Sequence, residues 1–107
     1  MKFKMNNRKW EIIEKSADYI LEEYKKEFDD ATYCFGFTKY STQKIYLNEE
    51  LCQEQKKQTL YHELMHCYIW CYIHSFNNVS EEALCDISAN SHEIIHKIVE
   101  DYFKIKK

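Results

Sequence analysis

The hydrophobic positions of the chain form three long stretches with helical periodicity and two short runs of β-branched and aromatic residues. In residues 7–28 apolar side chains recur every three or four positions while lysine and glutamate fill the other face, which predicts an amphipathic helix. Residues 31–38 and 44–47 are separated by the polar stretch KYSTQ, so they predict the two strands of a hairpin. Gly36 lies inside the first predicted strand, where we expect a bulge or a close approach of another backbone.

Two further helices are predicted in the second half of the chain. Residues 50–75 predict a long helix whose second part, TLYHELMHCYIWCYI, is apolar nearly all round and should therefore be buried centrally. The polar stretch SFNNVS ends this helix, and residues 81–103 predict a closing helix. The order of helix, hairpin, buried helix and closing helix predicts an α+β fold, and 107 residues suffice for one domain over 1–107.

Composition and charge exclude several classes of function. The net charge is -3 and the pI is near 5.9, so nothing requires the basic face of a nucleic-acid-binding protein. The positive bias is confined to the two ends, MKFKMNNRK and KIKK, where solvated termini explain it. No apolar run is long enough for a signal peptide or a membrane span, so we expect a cytoplasmic location and no membrane partner. The five cysteines are expected to be free thiols.

The stretch TLYHELMHCY carries the clearest chemical signal. His62 and His66 lie four residues apart, so on a helix they project from one face and can reach one metal ion at about 2.0 Å. Glu63 lies about 100° further round the helix, where it can act as general base on a metal-activated water. This spacing is a known metalloprotease signature. The strand KIYL precedes the helix and could offer an edge to an extended peptide.

A catalytic zinc also needs a third protein ligand and one open coordination position. Glu82 and Asp86 lie four residues apart on one face of the closing helix, after a short connection. Glu82 can be the third ligand, with Asp86 or Glu81 as substitutes. Asp86 can accept the free ring N–H of a ligand histidine and fix its tautomer. Zinc is the expected ion because nitrogen and carboxylate ligands in a tetrahedral site suit it.

TLYHELMH followed by EEALCDISA resembles the gluzincin arrangement, in which a HExxH helix is followed by an ExxxD helix. More narrowly, the sequence resembles the ImmA/IrrE-type metallopeptidases of bacteria, phages and mobile elements over roughly residues 33–90. The resemblance implies a minimal zincin-like domain in which His62, His66 and Glu82 bind zinc. It implies Glu63 as the base and Asp86 as the partner of a ligand. It also implies a protein substrate, such as a repressor.

A second motif, His92-Glu93-Ile94-Ile95-His96, repeats the spacing of the first. Lys97 follows it at once, and no later helix can bring a third ligand. His96 lies 14 residues after Glu82, or about 21 Å along a helix, so it cannot join the first site. We interpret this copy as coincidental, although His92 could still contribute to the cleft.

Several other side chains leave alternatives open. Cys67, Cys71 and His74 lie on one helical face that could bind a soft metal, but buried core thiols are the favoured interpretation. The residue that stabilises the oxyanion could be Tyr40, Tyr72 or His74.

The sequence therefore predicts a zinc metallopeptidase that acts on a protein or peptide substrate. The alternative is a catalytically inactive protein of the same fold that binds a host or regulatory protein. A DNA-binding regulator has only the basic ends in its favour. Neither the substrate nor the oligomeric state follows from the sequence.

Overall fold

The computed structural model describes residues 1–27, 35–73 and 81–105, without the side chains of residues 81, 84 and 105. The described segments contain four strands and three helices, and the predicted α+β class is confirmed. In chain order the elements are β1, Lys2–Met5; β2, Arg8–Lys15; α1, Ala17–Lys25; β3, Gly36–Lys39; β4, Lys44–Asn48; α2, Gln53–Tyr72; and α3, Glu81–Ile105.

The prediction of one helix over residues 7–28 is wrong in its first half, which forms β2. Asn6 and Asn7 have φ angles of 48° and 65°, and a two-residue turn with two positive φ angles connects the strands of a tight hairpin. Within β2, Trp10 and Ile12 are buried while Lys9, Glu11 and Ile13 are less so, which is the period of a strand. The helix starts only after Ser16, whose hydroxyl accepts the backbone N–H of Tyr19 at 3.2 Å.

The four strands form one sheet in the order β1-β2-β4-β3. The predicted hairpin is confirmed as the antiparallel pair β3 and β4, and the expected positions 31–34 lie outside the described residues. The sheet is mixed because β2 and β4 run parallel, with α1 in the connection between them. The strand KIYL is β4 and pairs on both sides, so the prediction that it offers a free edge is wrong. The edge next to β4 is β3.

Helices cover both faces of the sheet. The main core lies between one face and the pair α2 and α3, whose bounds agree with the predicted helices 50–75 and 81–103. A smaller core forms under α1, where Ile20 packs with Phe37 and Tyr46. No helix in the described segments is long and apolar enough to cross a membrane.

The predicted central burial of α2 holds for one side of the helix. Leu60, Leu64 and Cys67 are fully buried against the sheet and α3. The expected burial nearly all round is wrong on the other side, because His62 and His66 are exposed. A helix between a sheet and one neighbouring helix keeps a side free, and this side carries the two histidines.

Candidate metal centre

His62 and His66 converge on one point in front of α2. Their Nε2 atoms lie 3.2 Å apart, and the ring planes meet at 77°. Two nitrogen ligands of one tetrahedral zinc ion, each about 2.0–2.1 Å from the metal, lie about 3.3 Å from one another. Both side chains are open to solvent, so an ion can reach them. The pair therefore has the spacing of two ligands of a single zinc ion.

Glu63 lies beside this pair but faces the sheet. Its side chain is 7% exposed, and its Oε1 accepts a hydrogen bond from the Thr38 hydroxyl at 2.7 Å. The same hydroxyl oxygen lies 3.2 Å from the main-chain oxygen of Glu63. A buried carboxylate needs such a donor, since water does not solvate it fully. Thr38 was not singled out from the sequence, where a threonine in a strand is unremarkable without its tertiary partner.

Gly36 allows β3 to lie directly against α2. A Cβ atom at this position would lie 2.8 Å from Cγ2 of Thr59 and 2.9 Å from the main-chain oxygen of Tyr46. It would also lie 3.3 Å from Cγ of Glu63. The close approach predicted at this glycine is therefore confirmed: the backbone atom that lies close is the Tyr46 oxygen of β4, and side-chain atoms of the HExxH helix lie close as well.

A cleft of about 270 Å³ opens between β3, α1 and α2. It is lined by Tyr24, Gly36, Phe37, Thr38, Tyr40, Glu63 and His66. The histidine and the buried glutamate therefore face a common space along β3, the strand that lies next to β4 in the described sheet.

Of the three residues considered for oxyanion stabilisation, Tyr40 lines this cleft. Burial, together with the negative charge of Glu63, raises the pKa of the Tyr40 hydroxyl. Tyr40 therefore stays protonated at neutral pH and keeps a hydrogen to donate. Tyr72 is exposed and packs against Tyr68, and His74 lies outside the described residues.

Glu82 and Asp86 lie at exposed positions in the first half of α3. Among the residues with described positions, no three or more His, Cys, Asp or Glu side chains form a group that could hold a metal ion. The Tyr61 hydroxyl hydrogen-bonds Nδ1 of His96 at 2.8 Å, and Tyr61 lies about 100° and 140° round the helix from His62 and His66. The roles of Glu82 and Asp86 stay predictions.

The second motif has a different geometry. The rings of His92 and His96 are nearly parallel, at 13°, with centroids 5.7 Å apart. His96 binds Tyr61 through Nδ1, and its Nε2 lies 3.9 Å from Glu100. Glu93 is exposed. This pair does not present two nitrogens to a common point.

The interpretation of Cys67 and Cys71 as core residues is confirmed. Both side chains are fully buried, and burial raises the pKa of both thiols, so they stay neutral. Cys52 and Cys85 are free and exposed, and Cys34 lies outside the described residues.

A family model described as the SprT-like family matches residues 11–83. No curated protein and no solved structure shows significant similarity to the chain. The matched segment begins in β2 and ends in the first turn of α3, so it contains His62, Glu63, His66 and Glu82. The second motif lies after its end.

Proposed function

Because this chain belongs to the SprT-like family, a zincin-like family related to metallopeptidases, we propose that it is a zinc-dependent metallopeptidase acting on a protein substrate. The observation that carries the proposal is the 3.2 Å separation of the two histidine Nε2 atoms on α2. Beside them lies the buried carboxylate of Glu63, which faces the same cleft as His66.

The Nε2 atoms of His62 and His66 have the separation that two ligands of one zinc ion require. We propose that His62 and His66 bind the ion and that Glu82 is the third protein ligand, with Asp86 accepting the ring N–H of a ligand histidine. Neither Glu82 nor Asp86 forms an ion pair with a described lysine, arginine or histidine. One nitrogen pair and one carboxylate leave a position open, as catalysis requires.

Zinc, when bound, supplies a Lewis acid that polarises the substrate carbonyl and lowers the pKa of a water molecule. Glu63 would accept a proton from the attacking water molecule while the oxygen of that water forms a bond to the carbonyl carbon. The same carboxyl group would then pass the proton to the amine nitrogen as the C–N bond breaks, which yields a carboxylate and an amine. The Tyr40 hydroxyl donates a hydrogen bond to the carbonyl oxygen as negative charge develops there.

The narrower resemblance to ImmA/IrrE-type metallopeptidases supports a more specific proposal for the substrate. It rests on TLYHELMH and EEALCDISA, which lie on α2 and α3. We propose a regulatory protein such as a repressor as the substrate, with the enzyme encoded by a phage or mobile element and acting in the cytoplasm.

One observation favours a second candidate function, a catalytically inactive protein of the same fold that binds a host or regulatory protein. Glu82 and Asp86 are exposed, and among the described residues they form no group with His62 and His66 that could hold a metal ion. A protein that only binds its partner does not need a completed metal site.

The proposal is tested by metal content and cleavage together. Mass spectrometry of protein purified without a metal-affinity tag is expected to find about one zinc per chain in the wild type and none in His66→Ala. His96→Ala is the matched control and should keep the metal. A mixed peptide library incubated with the zinc-loaded wild type should then yield products. Wild-type protein that takes up no added zinc would reject the peptidase, and zinc without cleavage would favour the second candidate.

A further inference from the structure

We propose that Thr38 is a positioning residue for Glu63, a role that rests on the proposed function. Its hydroxyl holds Oε1 of the carboxylate, so that the second carboxylate oxygen is oriented for proton transfer in the cleft. Thr38 lies on β3, 25 residues before Glu63, and its side chain is 4% exposed. The contact is therefore made by the tertiary fold and not by the helix that carries the motif.

The hydrogen bond is well suited to this task. A hydroxyl has a single proton, and its contact with Oε1, at 2.7 Å, is shorter than its contact with the main-chain oxygen of Glu63, at 3.2 Å. A bond to an ionised carboxylate is also stronger than one to a neutral carbonyl. The Thr38 hydroxyl therefore donates its hydrogen bond to the carboxylate and not to the main-chain oxygen. Threonine is stiff about χ1, so the direction of the bond is set by the strand.

The strand itself is fixed on two sides. Thr38 pairs with Ile45, a fully buried residue of β4, so β3 cannot shift along its neighbour without exposing apolar surface. Gly36 lets the same strand contact α2. The alternation of the strand directs Phe37 into the core under α1 and leaves Thr38 on the opposite face, towards α2. The hydroxyl is thus held at one distance from Glu63 by both the sheet and the helix.

A purely structural role predicts a different outcome from a positioning role. If the hydroxyl only satisfies a buried polar group, its loss should lower stability and leave the turnover of folded molecules unchanged. If the Thr38 hydroxyl orients the Glu63 carboxylate, loss of the hydroxyl should lower kcat and leave KM and zinc content unchanged. A misplacement of a catalytic group by about 1 Å lowers the rate about a hundredfold.

The first experiment uses metal-free protein and no substrate. Thr38→Val, Glu63→Ala and the double variant are compared by their urea midpoints of unfolding. We expect Thr38→Val to lower the midpoint less in the Glu63→Ala background than in the wild type, because the two side chains act as one pair and only the contact with the main-chain oxygen of residue 63 remains to be lost. Thr42→Val is the matched control: this exposed threonine lies in the turn between β3 and β4 and lines a different cavity from Glu63, so its effect should add to that of Glu63→Ala. Additive midpoints for Thr38 and Glu63 would overturn the proposal.

The second experiment measures turnover of the zinc-loaded protein. Thr38→Val should lower kcat about tenfold to a hundredfold with unchanged KM, and Thr38→Ser, which restores a donor, should recover most of it. Thr38→Ser also serves as the folded comparison if Thr38→Val is unstable. An active Thr38→Val enzyme with normal kcat would reject the positioning role alone. The two substitutions could prove coupled in stability while the zinc-loaded wild type cleaves no substrate. That result would reject both the peptidase and the positioning role, and the contact would be a structural hydrogen bond.

Discussion

The chain carries the same five-residue spacing twice, on α2 and on α3, and the two copies differ in what surrounds them. On α2 the histidine rings meet at 77° and bring their Nε2 atoms to 3.2 Å. On α3 the rings are nearly parallel, and Tyr61 occupies Nδ1 of His96. Helical spacing places both pairs on one face, but neighbouring side chains decide whether the nitrogens converge.

The two glutamates differ more than the histidines. Glu63 is buried against an edge strand that supplies a hydroxyl to its carboxylate, whereas Glu93 is exposed on its helix. The family match covers the first copy and ends before the second. The HExxH motif on α2 is therefore a candidate active site because the neighbouring strand buries its glutamate and supplies a hydrogen-bond donor. The helix alone provides neither the burial nor the donor.

The largest expected difference between the copies is catalytic. Glu63→Gln removes the proposed base while keeping the size of the side chain, and we expect cleavage to fall about 10²- to 10⁴-fold. Glu93→Gln makes the same change in the second copy and should leave the rate unchanged. The measurement is the initial rate of product formation from a peptide library, followed by mass spectrometry.

Zinc content is measured on the same samples, because both variants should retain the metal. Equal rates for the two variants would show that neither glutamate is the base and would remove the functional contrast between the two helices.

Local signals in the sequence were sufficient for much of the fold. The β-branched runs around KYSTQ predict the β3–β4 hairpin, and the periodic apolar residues predict α2 and α3 within a few positions. The N-terminal segment was predicted as a helix because Trp10 and Ile13 fit helical spacing, whereas in β2 they lie on opposite faces of the sheet and pack in different cores. What decides its structure is Asn6-Asn7, a turn signal for a tight hairpin, together with the capping residue Ser16.

The candidate site is predictable only in its local part. Helix geometry places His62 and His66 on one face of α2 and directs Glu63 about 100° away from His62. The role of Thr38 does not, because it depends on the register of β3 against β4 and on the contact of β3 with α2. Gly36 is the one sequence signal that pointed to this contact, since a glycine within a strand indicates a close approach.

An effect of intermediate size is expected on stability when Gly36 is substituted. This glycine lets β3 contact the helix of the first copy, and the second copy has no such contact with it. Gly36→Ala forces a methyl group against Thr59 and the main-chain oxygen of Tyr46. We expect the free energy of unfolding to fall by about 1–3 kcal/mol, the usual cost of overpacking. Urea denaturation measures the loss.

A compensating variant identifies the cause of that loss. Thr59→Ser removes the nearest methyl group, so Gly36→Ala combined with Thr59→Ser should recover part of the stability. Recovery should be incomplete because the main-chain oxygen of Tyr46 remains 2.9 Å from the added carbon. A fully stable Gly36→Ala variant would show that β3 does not need to lie so close to the HExxH helix.

The smallest effect should come from the second copy, at the hydrogen bond between Tyr61 and His96. Tyr61→Phe removes the hydroxyl that binds Nδ1 at 2.8 Å and keeps the ring that packs against the core. Because the bond is exposed, its loss should lower the free energy of unfolding by about 0.5–1 kcal/mol, measured in urea. Zinc content and cleavage should not change, since Tyr61 lies on another side of α2 from His62 and His66. If Tyr61→Phe abolished zinc binding, the packing of α3 would be part of the metal site, and the contrast between the two copies would not hold.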